Sequence, residues 1–183
     1  YNDINMNNTD IAHQRLHNQR LSSQGFKKPA DVVKWLGAVQ AQDYYGAKWA
    51  LGQRTKSLTD DDVEKAFTAG QILRTHIMRP TWHFVTPADI RWLLRLTAPR
   101  VNAACSHYYR KLELDDAVFK RSNKVLARSL QGGNHLTREA LRTLIQRAGI
   151  GNDDLLRSNY MLVRAELDGL ICSGPRIGKQ FTY

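Results

Sequence analysis

Two glutamines one residue apart, Gln40 and Gln42, stand in the stretch WLGAVQAQDYYGAKWAL over residues 35–51. A glutamine amide does not titrate near neutral pH, but it can accept a hydrogen bond from a water and donate another elsewhere. Residues two apart point to the same side of an extended segment and lie about 200° apart on a helix. A shared role for the pair therefore requires the preceding helix to end before Gln40. Otherwise both are surface polar residues at a frayed helix end.

Cationic and polar residues in two later stretches could meet the phosphates of a nucleic acid. In ILRTHIMRPTWHFVT, residues 72–86, polar and apolar side chains alternate, so one face of a hairpin could present Arg74, Arg79, Thr81 and His83. A half-buried hairpin with a solvated face would show the same alternation. In SGPRIGKQ, residues 173–180, Arg176 and Lys179 lie on a glycine-rich turn, a composition typical of a loop along a nucleic-acid backbone.

Aromatic residues beside the glutamines provide a further candidate contact. Tyr45 could stack on a base, and Lys48 is grouped with it as a candidate DNA contact. Such a cluster beside a helix end is more often part of a hydrophobic core. Asp43 is a possible general base, but the residue next to a glutamine on a strand points to the opposite face.

The composition favours a polyanionic partner. The chain has 183 residues, 42% of them hydrophobic, enough for one large or two small domains. Its formal net charge of +10 makes nucleic acid the first candidate partner and an anionic membrane surface the second. No apolar stretch approaches the ~20 residues that span a bilayer, and the first ten residues lack the pattern of a signal peptide. We therefore expect a soluble, cytoplasmic protein.

Metal and disulfide chemistry are not indicated by the sequence. Cys105 and Cys172 are far apart and lack C-x-x-C spacing or a companion histidine cluster. The six histidines show no H-E-x-x-H or similar ligand spacing. We expect no metal, no cofactor and two reduced thiols.

Capping signals and hydrophobic periodicity divide the chain into helices and two hairpins. Thr59 with Asp62 has the spacing of a capping box, and the group Thr86, Pro87 and Asp89 marks another helix start with proline at its first position. Pro99 is expected to kink or break the helix that follows. The predicted helices cover residues 10–24, 29 to about 39, 47–55, 61–69, 89–100, 115–131, 138–149 and 153–169, and the hairpins cover 72–86, with a turn near Pro80, and 170–183.

The same order of elements occurs twice along the chain. Helices followed by a hairpin is the winged-helix order, and Ala66-x-x-x-Gly70-x-Ile72 before the first hairpin matches Ala165-x-x-x-Gly169-x-Ile171 before the second. We predict a mainly α fold with small β-hairpins, α+β in class. It would contain a first winged-helix unit over residues 9–100, a helical connector over 101–135 and a second winged-helix unit over 136–183.

Several stretches together resemble the bacterial winged-helix DNA glycosylase superfamily of AlkZ and YcaQ: WLGAVQAQDYYGAKWALGQRT, ILRTHIMRPTWHFVTPADIRWLL, HLTREAL and MLVRAELDGLICSGPRIGKQFTY. The resemblance covers nearly all of residues 10–183. Gln40-Ala41-Gln42 matches the Gln-x-Gln motif of the AlkZ-like branch rather than the Gln-x-Asp form of the YcaQ-like branch. The resemblance implies that Gln40 and Gln42 are the catalytic pair. Members of the superfamily carry three winged-helix units and a barrel-like region, so a chain that stops at the second wing is expected to lack the third unit.

Base excision from alkylated DNA gives the two amides a chemical role. Alkylation of a purine ring nitrogen makes the base cationic, so it leaves without a general acid, and the enzyme must place water against an oxocarbenium-like sugar. The sequence and the resemblance together predict a monomeric, metal-free DNA repair hydrolase acting on double-stranded DNA with alkylated or crosslinked purines. The Gln-x-Gln stretch holds no lysine, which suits a water nucleophile, although Lys48 is near enough to leave a Schiff base open.

Two non-enzymatic alternatives remain open at this point. A DNA-binding regulator would place side chains of a recognition helix over 153–169 in the major groove, where Arg157, Ser158, Asn159 and Arg164 form a modest reading surface. A protein-interaction winged helix is disfavoured by the positive charge.

Overall fold

The computed structural model describes residues 7–22, 25–151 and 154–183. The predicted helix end at Gln24 and helix start at Asp153 lie outside these residues. The described helices are α1 (Asn8–Asn18), α2 (Pro29–Leu36), α3 (Tyr44–Gly52), α4 (Asp60–Thr68), α5 (Ile90–Lys111), α6 (Asp116–Ser129), α7 (Arg138–Arg147) and α8 (Leu155–Leu167), with a 3-10 turn at Gln131–Gly133. The strands are β1 (Val39–Gln40), β2 (Leu73–Ile77), β3 (Arg79–Val85), β4 (Gly174–Ile177) and β5 (Gln180–Thr182). The mainly α fold with small hairpins is confirmed.

The first winged-helix unit is built from α2, β1, α3, α4, β2 and β3 in that order. Its sheet has the antiparallel order β1-β3-β2, and His83 on the central strand stands opposite Gln40 on one side and Thr75 on the other. The hairpin turns at Met78, whose φ is +64°, two residues before the predicted position. The short strand β1 is thereby held at the edge of a three-stranded sheet.

The second unit repeats this order. In the position of β1, Leu136 and Tyr183 exchange backbone hydrogen bonds of 3.4 and 3.0 Å, and Thr137 bridges Thr182. Helices α7 and α8 and the hairpin β4–β5 follow, and α6 packs against both helices. Since α6 occupies the place that α2 has in the first unit, we assign it to the second unit rather than to the connector predicted over 101–135.

The repeated Ala-x-x-x-Gly-x-Ile spacing corresponds to one helix-ending geometry used twice. Gly70 and Gly169 both have a φ of +69°, a conformation that glycine adopts without the strain of a side chain. At each site the residue after the glycine donates its N–H to the alanine carbonyl, Ala66 at 2.9 Å and Ala165 at 3.0 Å. These are Schellman-type caps, in which the reversed bonds satisfy the last carbonyl groups of α4 and α8.

Helix α5 runs through Pro99, where a kink or a break was predicted, without a break. A proline inside a helix removes one hydrogen bond and costs about 3 kcal/mol. Buried residues precede it (Leu93 and Leu94) and follow it (Val101 and Cys105), and all four belong to one core cluster. Packing of both halves of α5 offsets the lost bond, so the helix continues to Lys111. Pro87 lies before the helix rather than in its first turn.

Two hydrophobic clusters form the core. One contains α5 to α8, and the other contains the first unit around Val33, Tyr44, Phe67 and Phe84. Phe181 of the second wing packs against this latter cluster. The backbone N–H of Ser173 also donates to the carbonyl of Arg74 at 2.9 Å, so the second hairpin is tied to the first sheet.

Candidate functional site

The glutamine pair lies on an extended segment after the helix has ended. Helix α2 stops at Leu36, and Gly37 reverses the chain with a φ of +76°. Ala41 is 0% exposed and donates its N–H to the carbonyl of Trp82 at 2.7 Å, whereas Gln40 and Gln42 are both exposed. Strand β1 ends at Gln40, and Gln42 follows in a bend where its Oε1 accepts the backbone N–H of Trp82 at 3.4 Å. The helix has therefore ended before Gln40, as a shared role of the two glutamines requires.

Asp43 is occupied by helix capping. Its Oδ1 accepts the N–H of Gly46 at 3.0 Å and caps α3. A Cβ at position 46 would collide with the Asp43 carboxylate, so the glycine of the YYG stretch provides the room for this cap. The same cap turns the chain away immediately after Gln42.

Arg74 and His83, predicted to contact DNA, are buried in the first sheet. Arg74 is 4% exposed, its Nε donates to the carbonyl of Ala41 at 3.1 Å, and burial lowers its pKa to about 10. A ring nitrogen of His83 lies 2.9 Å from the carbonyl of Thr81, and burial lowers the pKa of this histidine. His83 is buried within the first sheet, and Arg74 lies against Phe181 of the second wing with only a small part of its surface at the wall of a cleft.

Lys48 and Arg176 are held in a carboxylate cluster rather than presented to DNA. The Nζ of Lys48 lies 2.7 Å from Asp60 and 2.9 Å from Glu64, and Arg176 lies 3.3 Å from Glu64. Burial alone would favour the neutral amine, but hydrogen bonds to these carboxylates outweigh it and raise the pKa of Lys48. Glu64 thus connects α3, α4 and the second wing.

The other predicted DNA contacts are accessible to different degrees. Arg79 and Lys179 are exposed, and Tyr45 is 60% exposed. Thr81 is half-buried, and its hydroxyl oxygen has no hydrogen-bond partner among the described residues. The predicted set is therefore divided between surface residues and residues that support the sheet.

Glu166 is a central residue that sequence reasoning missed. It is 0% exposed, and its Oε2 accepts the backbone N–H of His76 at 2.7 Å and the hydroxyl of Thr75 at 3.2 Å. The same oxygen lies 2.8 Å from His76 Nδ1, and Trp82 Nε1 donates to Oε1 at 3.4 Å. Burial opposes ionisation, but the attraction and hydrogen bonds of His76 outweigh it and lower the pKa of Glu166. The feature of the sequence that could have indicated this role is a single glutamate on the apolar side of α8.

Two clefts lie on either side of a wall formed by Trp82, Arg138 and Tyr183. The smaller cleft, of about 350 Å³, is lined by Gln42 together with His76, Asn159 and Tyr160. The larger, of about 540 Å³, is lined by Arg74, Arg142, Lys179 and Phe181. The wall is braced by Arg138, which donates to Tyr183 Oη at 3.0 Å and lies 4.8 Å from the centre of the Trp82 ring. Gln42 therefore borders the smaller cleft, and the cationic residues Arg142 and Lys179 line the larger cleft on the other side of this wall.

Two further properties concern the described residues as a whole. None of their helices is long and apolar enough to cross a bilayer. Across residues 7–22, 25–151 and 154–183, no three His, Cys, Asp or Glu side chains converge as metal ligands would.

Comparison with known proteins agrees with this architecture. The sequence model of the family described as DNA glycosylase AlkZ-like matches residues 33–183, which include both glutamines. Among solved structures, the chain is similar to the Streptomyces sahachiroi DNA glycosylase AlkZ, with a TM-score of 0.75 and 22% identity over 92% of this chain. The chain spans 46% of the length of that protein. No curated protein matches the sequence. The resemblance inferred from the Gln-x-Gln motif is confirmed.

Proposed function

Because the chain belongs to the AlkZ-like DNA glycosylase family, we propose that Gln40 and Gln42 orient a water molecule that hydrolyses the N-glycosidic bond of an alkylated or crosslinked purine in double-stranded DNA. The observation that carries this proposal is that both glutamines are exposed beside the edge of the first sheet, Gln40 on β1 and Gln42 two residues after it. An amide oxygen has two lone pairs, so Gln42 Oε1, which accepts the N–H of Trp82 at 3.4 Å, can still accept from a water that Gln40 also holds.

Neutral amides are sufficient for this reaction. An alkylated purine carries a positive charge on its ring and leaves without protonation, so no general acid is required. The amide oxygens hold the water and face the positive charge that develops on the sugar. This assignment does not require Asp43, which caps α3. The ion pairs of Lys48 keep its amine protonated, which supports water rather than an amine as the nucleophile.

The DNA backbone would follow the cationic side of the larger cleft. Arg142 and Lys179 line this cleft, and Arg79 and Tyr45 are exposed near the glutamine strand in the chain's first unit. Phosphates bound by such side chains would fix the register of the duplex, and the glutamines would then act on the sugar. We further propose that the protein acts as a cytoplasmic monomer without a metal or cofactor.

The side chains available on α8 favour the enzyme over a sequence-reading regulator. Arg157 donates to the carbonyls of Leu112 and Ile150, and Ser158 is buried. Arg164 is paired with Asp168 at 2.9 Å. These contacts occupy the residues that a recognition helix would extend into the major groove.

Base release from DNA containing an alkylated guanine tests the proposal. After incubation, hot alkali cuts the strand wherever a base has been removed. We expect Gln40→Ala and Gln42→Ala to abolish strand breaks while DNA affinity changes little, because neither amide supplies a phosphate contact. Gln131→Ala, at an exposed glutamine in the second unit, is the matched control and should retain full activity.

Undiminished base release by the double variant would show that the glutamines are not catalytic. Sequence-selective binding without any breaks would instead favour the regulator.

A further inference from the structure

We propose that Arg74 is a positioning residue for the glutamine pair, acting through the backbone of Ala41, and that the second wing holds Arg74 in place. This inference rests on the proposed role of the glutamines and adds a requirement to it. The site would be assembled from both winged-helix units, although both glutamines belong to the first.

The peptide between the glutamines is held on both sides. Ala41 donates its N–H to Trp82 at 2.7 Å, and its carbonyl accepts from Arg74 Nε at 3.1 Å. Strand β1 has only two residues and lies at a sheet edge, where backbone pairing is weakest. The bond from Arg74 therefore helps to fix the peptide between the two glutamines, and Gln42 is held in addition by its Oε1, which accepts the N–H of Trp82 at 3.4 Å.

Arg74 is in turn fixed by stacking between the two units. Its guanidinium carbon lies 4.4 Å from the centre of the Trp82 ring and 4.3 Å from that of Phe181. A planar guanidinium between two rings keeps one orientation, which the flexible ammonium group of lysine cannot reproduce. Phe181 belongs to β5, so the second wing controls a hydrogen bond to the residue between the glutamines.

The burial of this cation argues for a specific purpose. Removing a guanidinium from water costs free energy, and a hydrophobic side chain would pack between two rings without that cost. Arg74 nevertheless donates from its Nε to the carbonyl of Ala41, a hydrogen bond that a hydrophobic side chain could not make. A structural role in the core alone does not require this bond.

The test compares Arg74→Lys and Phe181→Ala with the conservative Phe181→Tyr, which keeps an aromatic ring against the guanidinium. We expect kcat for base release to fall about 100-fold in the first two variants, since small misplacements of reacting groups have effects of this size. Affinity for undamaged duplex should change by less than about twofold, because Arg74 is only 4% exposed where it lines the larger cleft and Phe181 carries no charge. The amide of Ala41 should exchange its hydrogen faster than in the wild type.

Two controls separate positioning from general damage. Phe181→Tyr should retain kcat and the protection of Ala41, and so should Arg128→Gln, at an exposed arginine on α6. All rates are measured well below the melting temperature of each variant. A residue that only stabilises the fold would leave kcat of the folded fraction unchanged and would speed exchange at Ala41 no more than at the other protected amides of the first unit.

Wild-type kcat in folded Arg74→Lys would overturn the proposal, and so would a lower kcat with unchanged Ala41 protection. A parallel loss of DNA affinity and kcat would overturn it too, because Arg74 would then be a DNA contact. If the wild-type protein releases no base, the proposed function fails, whereas amide exchange at Ala41 still decides whether Arg74 fixes this strand.

Discussion

Replacing Glu166 with alanine should separate α8 from the hairpin of the first unit. The carboxylate is fully buried and receives donors from Thr75, His76 and Trp82, all on β2 or β3. Alanine would leave the backbone N–H of His76, bonded at 2.7 Å in the wild type, with no acceptor. Buried donors left without a partner are more costly than the net worth of the bond itself.

The expected loss of stability is about 3–5 kcal/mol, because three donors lose their acceptor at about 1–3 kcal/mol each and relaxation of the structure offsets part of this loss. For a chain of this length, 1 kcal/mol corresponds to about 2–4 °C in melting temperature, so Tm should fall by roughly 6–20 °C. Glu166→Gln should lose less, about 1–3 kcal/mol, because its oxygen can still accept from His76 while its NH2 group faces Trp82 Nε1.

Thermal unfolding followed by circular dichroism measures these differences. Glu139→Ala is the matched control, since Glu139 is exposed in the first turn of α7 and contributes only about 0.3–1 kcal/mol through the helix dipole. If Glu166→Ala melts within about 2 °C of the wild type, or no lower than Glu166→Gln, the hydrogen bonds to this carboxylate do not hold the units together and the reasoning is wrong.

Three further results are expected. The folded state lowers the pKa of Glu166 from 4.5. The stability that the ionised carboxylate contributes is therefore present above pH 4.5 and is lost as the pH falls through the lower pKa of the folded state. Tm measured down to about pH 3 should decrease less in Glu166→Gln than in the wild type. Lys48→Met should lower the free energy of unfolding by about 1–2 kcal/mol in denaturant titration, because Asp60 and Glu64 lose their shared cation while Asp60 stays largely solvated. DNA affinity measured by fluorescence anisotropy should not change. A weaker affinity would show that Lys48 contacts DNA. Arg142→Gln and Lys179→Gln should each reduce the slope of log affinity against log salt by about 0.9, and an unchanged slope would place the phosphates elsewhere.

Local signals in the sequence predicted the local structure well. Thr59 and Asp62 form the expected capping box, Thr137 caps α7, and Pro29 begins α2. In each case the residues that make the signal lie within four positions of one another, so their hydrogen bonds do not depend on the rest of the chain. The paired Ala-x-x-x-Gly-x-Ile spacing was informative for the same reason.

The sequence was less informative for residues whose environment is formed by distant parts of the chain. Arg74 lies 33 residues from the carbonyl that it contacts, and His76 lies 90 residues from Glu166. The alternating pattern of the first hairpin indicates two faces, but it does not reveal that the second unit covers one of them. The helix also does not break at Pro99, because tertiary packing on both sides of the proline outweighs its local preference.

The contact between Phe181 and the first unit also constrains how the protein is made. The ring of Phe181 lies 4.9 Å from that of Tyr44, although about 140 residues separate them in the chain. At a synthesis rate of ~5–20 residues per second, the ribosome needs roughly 7–30 s to deliver the second aromatic ring after the first. During that interval the newly made first unit exposes an aromatic surface that no later residue yet covers. The nascent chain is therefore most vulnerable to aggregation and to chaperone capture before the second wing with Phe181 emerges.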